Sequence, residues 1–331
     1  MMNIYQLLDH SVKQNASDLH LCAGHLPVAR VNGDLRVLEE EPLEPEALSS
    51  ALMALLNAEQ QRRFWCDRQL DVALSVEGVR LRANLFLQFT GVSAALRIVN
   101  DRTPTLGQLG VPPALASAVT ERDGLIIVCG ATGSGKSTTL AALIGEMNKN
   151  QARHVITLED PIEFIHRSEQ SLVQQREIGV HAQDFSSGLL AALRQDPDVI
   201  LLGELRDVAT LKLALTAAET GHLVLATLHT RSAAMAVERI VDAFPAGDKR
   251  FVSFQLANAL KVVACQRLLP GREGGRVAAY EVLVNTPAVA NLIREEKCHQ
   301  IGTQMQTGSA FGMQTMEQCM TRLRAAGMIS G

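Results

Sequence analysis

At 331 residues, 47% of them hydrophobic, the chain is long enough for about two folded domains with sizeable cores, which excludes a disordered chain. A formal net charge of −4 without a long basic run leaves nothing to mark a nucleic-acid or anionic-membrane surface, short of a basic groove formed on assembly. Six cysteines with no C-x-x-C pair argue against a zinc ribbon and a secreted disulfide framework, and fit core thiols in a reducing cytoplasm.

The opening Met1-Met2-Asn3-Ile4-Tyr5 lacks a signal-peptide pattern, and no apolar stretch approaches the roughly 18 residues of a membrane span, so membrane association is expected only through a partner. Residues 1–100 read as a small α+β domain. Leu7, Leu8 and Val12 suggest a short helix, and 28–31 and 35–37 read as a hairpin turned at Asn32-Gly33. One helix is predicted across 45–63, with Leu48, Leu52, Leu55 and Leu56 on one face. Two alternating strands follow, turned at Glu77-Gly78, and they put Arg80 and Arg82 on the solvent face; a third strand at 92–99 carries Arg97. By pattern alone these arginines read as solvated strand polarity.

Residues 101–113, with Pro104, Gly107, Gly110, Pro112 and Pro113, carry the punctuation of a linker. From 114 to 331 the rhythm changes to strands alternating with helices, the signature of an α/β domain with a largely parallel sheet. Strands are predicted at 125–129, 154–158, 199–202 and 223–227, each ending in polar residues: Gly130 onward, Glu159-Asp160, Gly203-Glu204 and His229. Asp207 is expected to cap a helix that buries Val208, Leu211 and Leu215 and closes at Gly221. Beyond Ser232 the chain reads as mostly helical, with one hairpin near 271–281 and with Leu256, Leu260, Val263 and Leu268 in the core.

The run Gly130-Ala131-Thr132-Gly133-Ser134-Gly135-Lys136-Ser137-Thr138 satisfies G-x-x-x-x-G-K-[ST] between a predicted buried strand and a predicted helix. Glycines let backbone N–H groups face the β- and γ-phosphates of a nucleotide, the helix N-terminus and Lys136 add positive charge, and Ser137 offers a hydroxyl to Mg²⁺. ATP and Mg²⁺ are therefore the expected substrate and cofactor. Ligands of open α/β sheets bind outside the carboxyl ends of the strands, so the four polar strand tips are expected to converge on this nucleotide.

Hydrolysis needs an acceptor that orients and deprotonates water, and Glu204, just past the apolar run 199–202, is placed for that role. Gly203 stands where a metal-holding carboxylate is usual, so Mg²⁺ is expected on Ser137, phosphate oxygens and waters, with Glu204 reached through water. In the acidic turn Glu159-Asp160-Pro161-Ile162-Glu163, Glu163 is the candidate for direct contact, although Asp before Pro is also ordinary helix-capping chemistry. His229 is placed to sense the γ-phosphate; His222 has the weaker case, as an ordinary hydrogen-bonded histidine.

Four segments carry a family resemblance: Ala-Thr-Gly-Ser-Gly-Lys-Ser-Thr-Thr-Leu-Ala-Ala at 131–142, Leu-Glu-Asp-Pro-Ile-Glu-Phe at 158–164, the run through Gly-Glu-Leu-Arg-Asp at 193–207, and that from Thr-Ala-Ala-Glu-Thr-Gly-His to Leu-His-Thr at 216–230. Together they resemble the secretion ATPase superfamily, and within it the PilT-type retraction ATPases of type IV pili and twitching motility. The likeness extends to Ala-Ser-Asp-Leu-His-Leu at 16–21, Asn-Leu-Ile-Arg-Glu-Glu-Lys at 291–297 and Met-Gln-Thr-Gly at 305–308. It implies an N-terminal PAS-like domain, a RecA-like P-loop NTPase core, and a homo-hexamer in which N-domain arginines complete the site, with Arg82 and Arg97 at similar positions. It also implies a cytoplasmic motor, peripheral to the inner membrane through a pilus platform protein and working beside other pilus ATPases. An ATP-gated regulatory module with little turnover, an assembly or secretion motor, and a nucleic-acid motor on the same core are the rival readings.

Overall fold

A computed structural model describes residues 4–31, 33–39, 41–99 and 103–330. The chain divides into two compact units, Met1–Arg102 and Thr103–Gly331. Among the described residues no helix is long and apolar enough to cross a membrane.

The first unit runs α1 (Ile4–Lys13), β1 (Asp18–Leu21), β2 (Val28–Val31), β3 (Asp34–Val37), α2 (Pro45–Ala54), α3 (Ala58–Asp67), β4 (Gln69–Val76), β5 (Val79–Gln88) and β6 (Gly91–Val99). Its strands form one antiparallel sheet in the order β3-β2-β1-β6-β5-β4. Strict alternation on β5 sends Leu81, Ala83 and Leu85 into a core shared with Leu48 and Leu52 of α2 and Phe64 of α3, and leaves Arg82 exposed. The β4–β5 turn uses Glu77 at φ 49° and Gly78 at φ 83°, the left-handed pair that a two-residue hairpin needs. Asn32, half of the other predicted turn, lies outside the described residues, as do Asp101 and Arg102 of the predicted linker.

Two helices replace the single one expected across 45–63. Asn57 starts the second by a capping box: its Oδ1 accepts from Gln60 N, and its N donates to Gln60 Oε1, both at 2.9 Å. Strand β1 was not expected at all, and Arg80 is half-buried where full exposure was expected.

In the second unit α4 (Pro113–Ala118) leads into β7 (Gly124–Cys129), α5 (Lys136–Asn150), β8 (His154–Glu159), β9 (Leu172–Glu177), α6 (Phe185–Ala192) and β10 (Val199–Leu202). Next come α7 (Val208–Glu219), β11 (Leu223–Leu228), α8 (Ala233–Asp242), α9 (Ala246–Ala259), β12 (Leu260–Pro270), β13 (Arg276–Val284), α10 (Pro287–Arg294), α11 (Ile301–Thr307) and α12 (Met316–Ala325). The sheet order is β13-β12-β7-β11-β10-β8-β9, parallel except for the antiparallel β12–β13 pair.

Both faces of this sheet are covered, which is why its inner strands read as unbroken apolar runs. On β7, Ile126 and Val128 pack with Leu140, Leu143 and Ile144 of α5, while Leu125, Ile127 and Cys129 pack with Leu211 and Leu215 of α7 and Leu256 of α9. The same burial hid β12: Leu260 to Pro270 form a strand beside β7 where helix was expected, and Leu268 is half-buried instead of core. Asp207 caps α7 by accepting from Thr210 N at 2.8 Å, as its position before the apolar run implied, although Val208 remains exposed.

Candidate active site

The loop 130–135 joins β7 to α5, and its glycines are there for space as well as for conformation. A Cβ on Gly130 would lie 2.4 Å from the Gln266 carbonyl oxygen and 2.5 Å from Ser134 Oγ, so β12 closes on one side of the loop. Gly133 and Gly135 take φ of 75° and 87°, a region that side chains disfavour. Gly135 is the N-cap of α5 and supplies no side-chain cap, so the helix opens with its first-turn N–H groups and its positive dipole end facing the loop. Lys136 is buried, and its Nζ donates to Gly130 O and Ala131 O, each at 3.0 Å. Burial lowers its pKa; Glu204 and Glu163 act in the opposite direction. Ser134 Oγ is buried without a hydrogen-bond partner. An orphaned hydroxyl, a buried ammonium and an open helix N-terminus fit the phosphates of a nucleotide, and the exposed Ser137 hydroxyl at the first turn fits its magnesium.

Strands β7, β11, β10 and β8 lie side by side, so their carboxyl ends form a continuous row. A cleft of about 420 Å³ opens there, lined by Thr132, Gly133, Lys136 and Ser137 from the loop and helix, and by Glu163, Glu204 and His229 from the other strand tips. Lysine, both glutamates and the histidine are thus brought into one cavity. Gly130, Ala131, Ser134 and Gly135 shape the loop, and Thr138 lies in the first turn of α5, without lining the cleft. Among the described residues, no cluster of three or more His, Cys, Asp or Glu side chains could hold a metal by itself.

Glu204 is the most constrained of these acids, with 14% of its side chain exposed. Its Oε2 lies 3.3 Å from His229 Nε2, and its Oε1 is ion-paired with Arg206. Arg206 also approaches Asp160 Oδ2 at 3.6 Å. Contact with Glu204 raises the pKa of the guanidinium further. Thr227 Oγ1 donates to Gly203 O, and Leu205 N donates to Thr227 O at 3.1 Å, which ties the Glu204 segment to β11. Glu159 faces inward: burial raises its pKa against hydrogen bonds from Thr157 Oγ1 at 2.6 Å and Gln175 Nε2 at 3.1 Å.

His222 precedes β11 at its amino end, where its Nδ1 lies 3.1 Å from Ala217 O; it is remote from the row of tips that carries His229. Arg82 and Arg97 belong to the first unit. Two ionisable residues of the cleft escaped the reading of the sequence. Arg206 is one: it meets Glu204 because Leu205 between them enters the core, a bend of the chain after β10 that the sequence does not announce. His166 is the other; it lines the cleft, and burial pushes its pKa down to about 4, so it is neutral near pH 7. Nothing in the sequence around it signalled that burial.

The family described as Type II/IV secretion system protein matches residues 2–326. The chain is 51% identical over 318 residues to the uncharacterized protein YggR of Escherichia coli, covering 96% of this chain and 97% of the relative. It is 46% identical over 330 residues to the type IV pilus retraction ATPase PilT of Pseudomonas aeruginosa, covering 99% and 96%. Among solved structures, the pilus retraction motor PilT with bound ADP superposes with a TM-score of 0.93 at 41% identity, covering 100% of this chain and 95% of that one. The fold is accordingly a RecA-like P-loop core with a smaller N-terminal domain. The chain belongs to the type II/IV secretion system protein family, as one of its ATPases.

Proposed function

We propose that this chain is a Mg-ATP-hydrolysing motor that works as a homo-hexamer and powers retraction of type IV pili. The observation that carries the chemistry is the meeting of Lys136, Ser137 and Glu204 in one cleft at the strand tips. In this reading Lys136 and the loop N–H groups compensate the β- and γ-phosphates, and Glu204 orients water and takes its proton. Bound to phosphate oxygens and Ser137, magnesium would supply charge neutralisation across the reacting phosphate. Glu163 orders water near that site, His229 senses the γ-phosphate, and Arg82 and Arg97 meet the charge that develops during transfer. The extended likeness to PilT supports the mechanical output and, with it, a location at the cytoplasmic side of the inner membrane through a pilus platform protein. A strain lacking the chain tests this output. It is expected to hold more surface pili and to lose twitching, whereas loss of the pili themselves would reassign the motor to assembly.

A further inference from the structure

Both carboxylate oxygens of Glu204 are engaged, one by Arg206 and the other by His229 Nε2 at 3.3 Å. The same guanidinium reaches Asp160 Oδ2 at 3.6 Å, so it bridges acids from the tips of β10 and β8. A planar fork of donors can do this; a lysine ammonium, a point charge, cannot do it equally well. The two partners differ in setting, because the Arg206 side chain is 61% exposed while that of Glu204 is 14% exposed. An ion pair with so wet a partner is weak and opens readily. While it is closed, a water that must give its proton to Glu204 competes with a full positive charge for Oε1.

We propose that Arg206 is a positioning residue that latches Glu204: closed, it withholds the carboxylate from water, and open, it frees the carboxylate to act. The inference rests on the reading of Glu204 as the general base. It assigns to Arg206 a restraint on basal turnover, with Asp160 as the second anchor of the latch.

The test compares wild type, Arg206→Ala, Arg206→Lys and Asp160→Asn as full-length chains. In nucleotide-free protein, Glu204 is labelled with a water-soluble carbodiimide and glycine ethyl ester and quantified by peptide mass spectrometry. Steady-state Mg-ATP turnover and the ADP dissociation constant are measured on the same preparations. Arg206→Ala is expected to raise both Glu204 labelling and turnover about two- to fivefold, the range set by an exposed ion pair. ADP affinity is expected to stay within about twofold of wild type, because the latch does not hold nucleotide. Arg206→Lys and Asp160→Asn shift labelling and turnover in the same direction by less, and they carry the test if Arg206→Ala fails to fold. Slower turnover with unchanged ADP affinity would make Arg206 an orienting group, and weaker ADP binding would make it a nucleotide contact. Either result, or wild-type labelling and turnover in every variant, overturns the latch. Failure of the underlying reading shows separately, as wild-type hydrolysis by Glu204→Gln whatever the Arg206 variants do.

Discussion

Arg82 on β5 and Arg97 on β6 stand directly opposite each other in register. Like charges so placed repel, and the sheet offsets only part of this: Arg97 Nε lies 3.1 Å from Asp18 Oδ1 on β1. Burial would raise the Asp18 carboxyl, yet hydrogen bonds from Ser17 and Arg97 outweigh it and hold the group below its usual value. Two adjacent guanidinium groups, with Asp18 on the β1 side of Arg97 as the carboxylate beside them, suit the proposed role toward anionic phosphate. Alanine at either position is expected to lower ATPase turnover by about 10² or more in protein that still assembles, as for other arginines that meet transferring phosphate. Size-exclusion chromatography beside steady-state kinetics checks this, and wild-type rates in both variants would return the pair to solvated polarity.

Lys136→Ala is expected to abolish tight ATP binding together with turnover, because it removes the one full positive charge buried in the loop. Titration with a fluorescent ATP analogue reads the loss. Near-normal binding and hydrolysis would place the nucleotide elsewhere.

The loop glycines separate by geometry. At Gly130 an added Cβ meets backbone at 2.4 Å, whereas at Gly133 nothing lies within 4 Å and only the left-handed φ of 75° resists. Gly133→Ala should therefore cost roughly 1–2 kcal/mol of strain, and Gly130→Ala distinctly more, since the loop must part from β12. Thermal unfolding of nucleotide-free protein ranks the two, and the reverse order would contradict the packing.

Among the described groups of the cleft, His166 sets an acid limit. Its folded pKa, about 4, lies below the ordinary histidine value of 6.5, so between these values the unfolded chain binds the extra proton. The contribution of neutral, half-buried His166 is complete above pH 6.5 and is lost as pH falls toward 4. His166→Gln should flatten that part of the pH dependence of the unfolding midpoint. A variant as acid-sensitive as wild type across this window would assign the loss to other groups.

Legibility followed burial. The β7–loop–α5 unit was plain in the sequence because a two-face-buried strand, turn glycines and a 3.6-residue apolar repeat occur together there. Leu260–Pro270 was misread because a strand buried on both faces has no period of its own to distinguish it from a buried helix. The break at Asn57 could have been seen, since Asn-x-x-Gln is a helix start, but Leu48, Leu52, Leu55 and Leu56 kept helical spacing right up to it. Glu204 and His229 were legible as strand tips. The contact of Glu204 with Arg206 was not, because it depends on how the chain bends after β10 while Leu205 enters the core.

The most direct measurement is steady-state Mg-ATP hydrolysis by Glu204→Gln, with ATP binding measured on the same preparation. Glutamine keeps the shape and loses the basicity, so binding should remain near wild type while turnover falls by roughly 10² to 10⁴, the worth of a general base. Wild-type turnover in that variant would contradict the assignment, and the base would then be sought first at Glu163, which lines the same cleft.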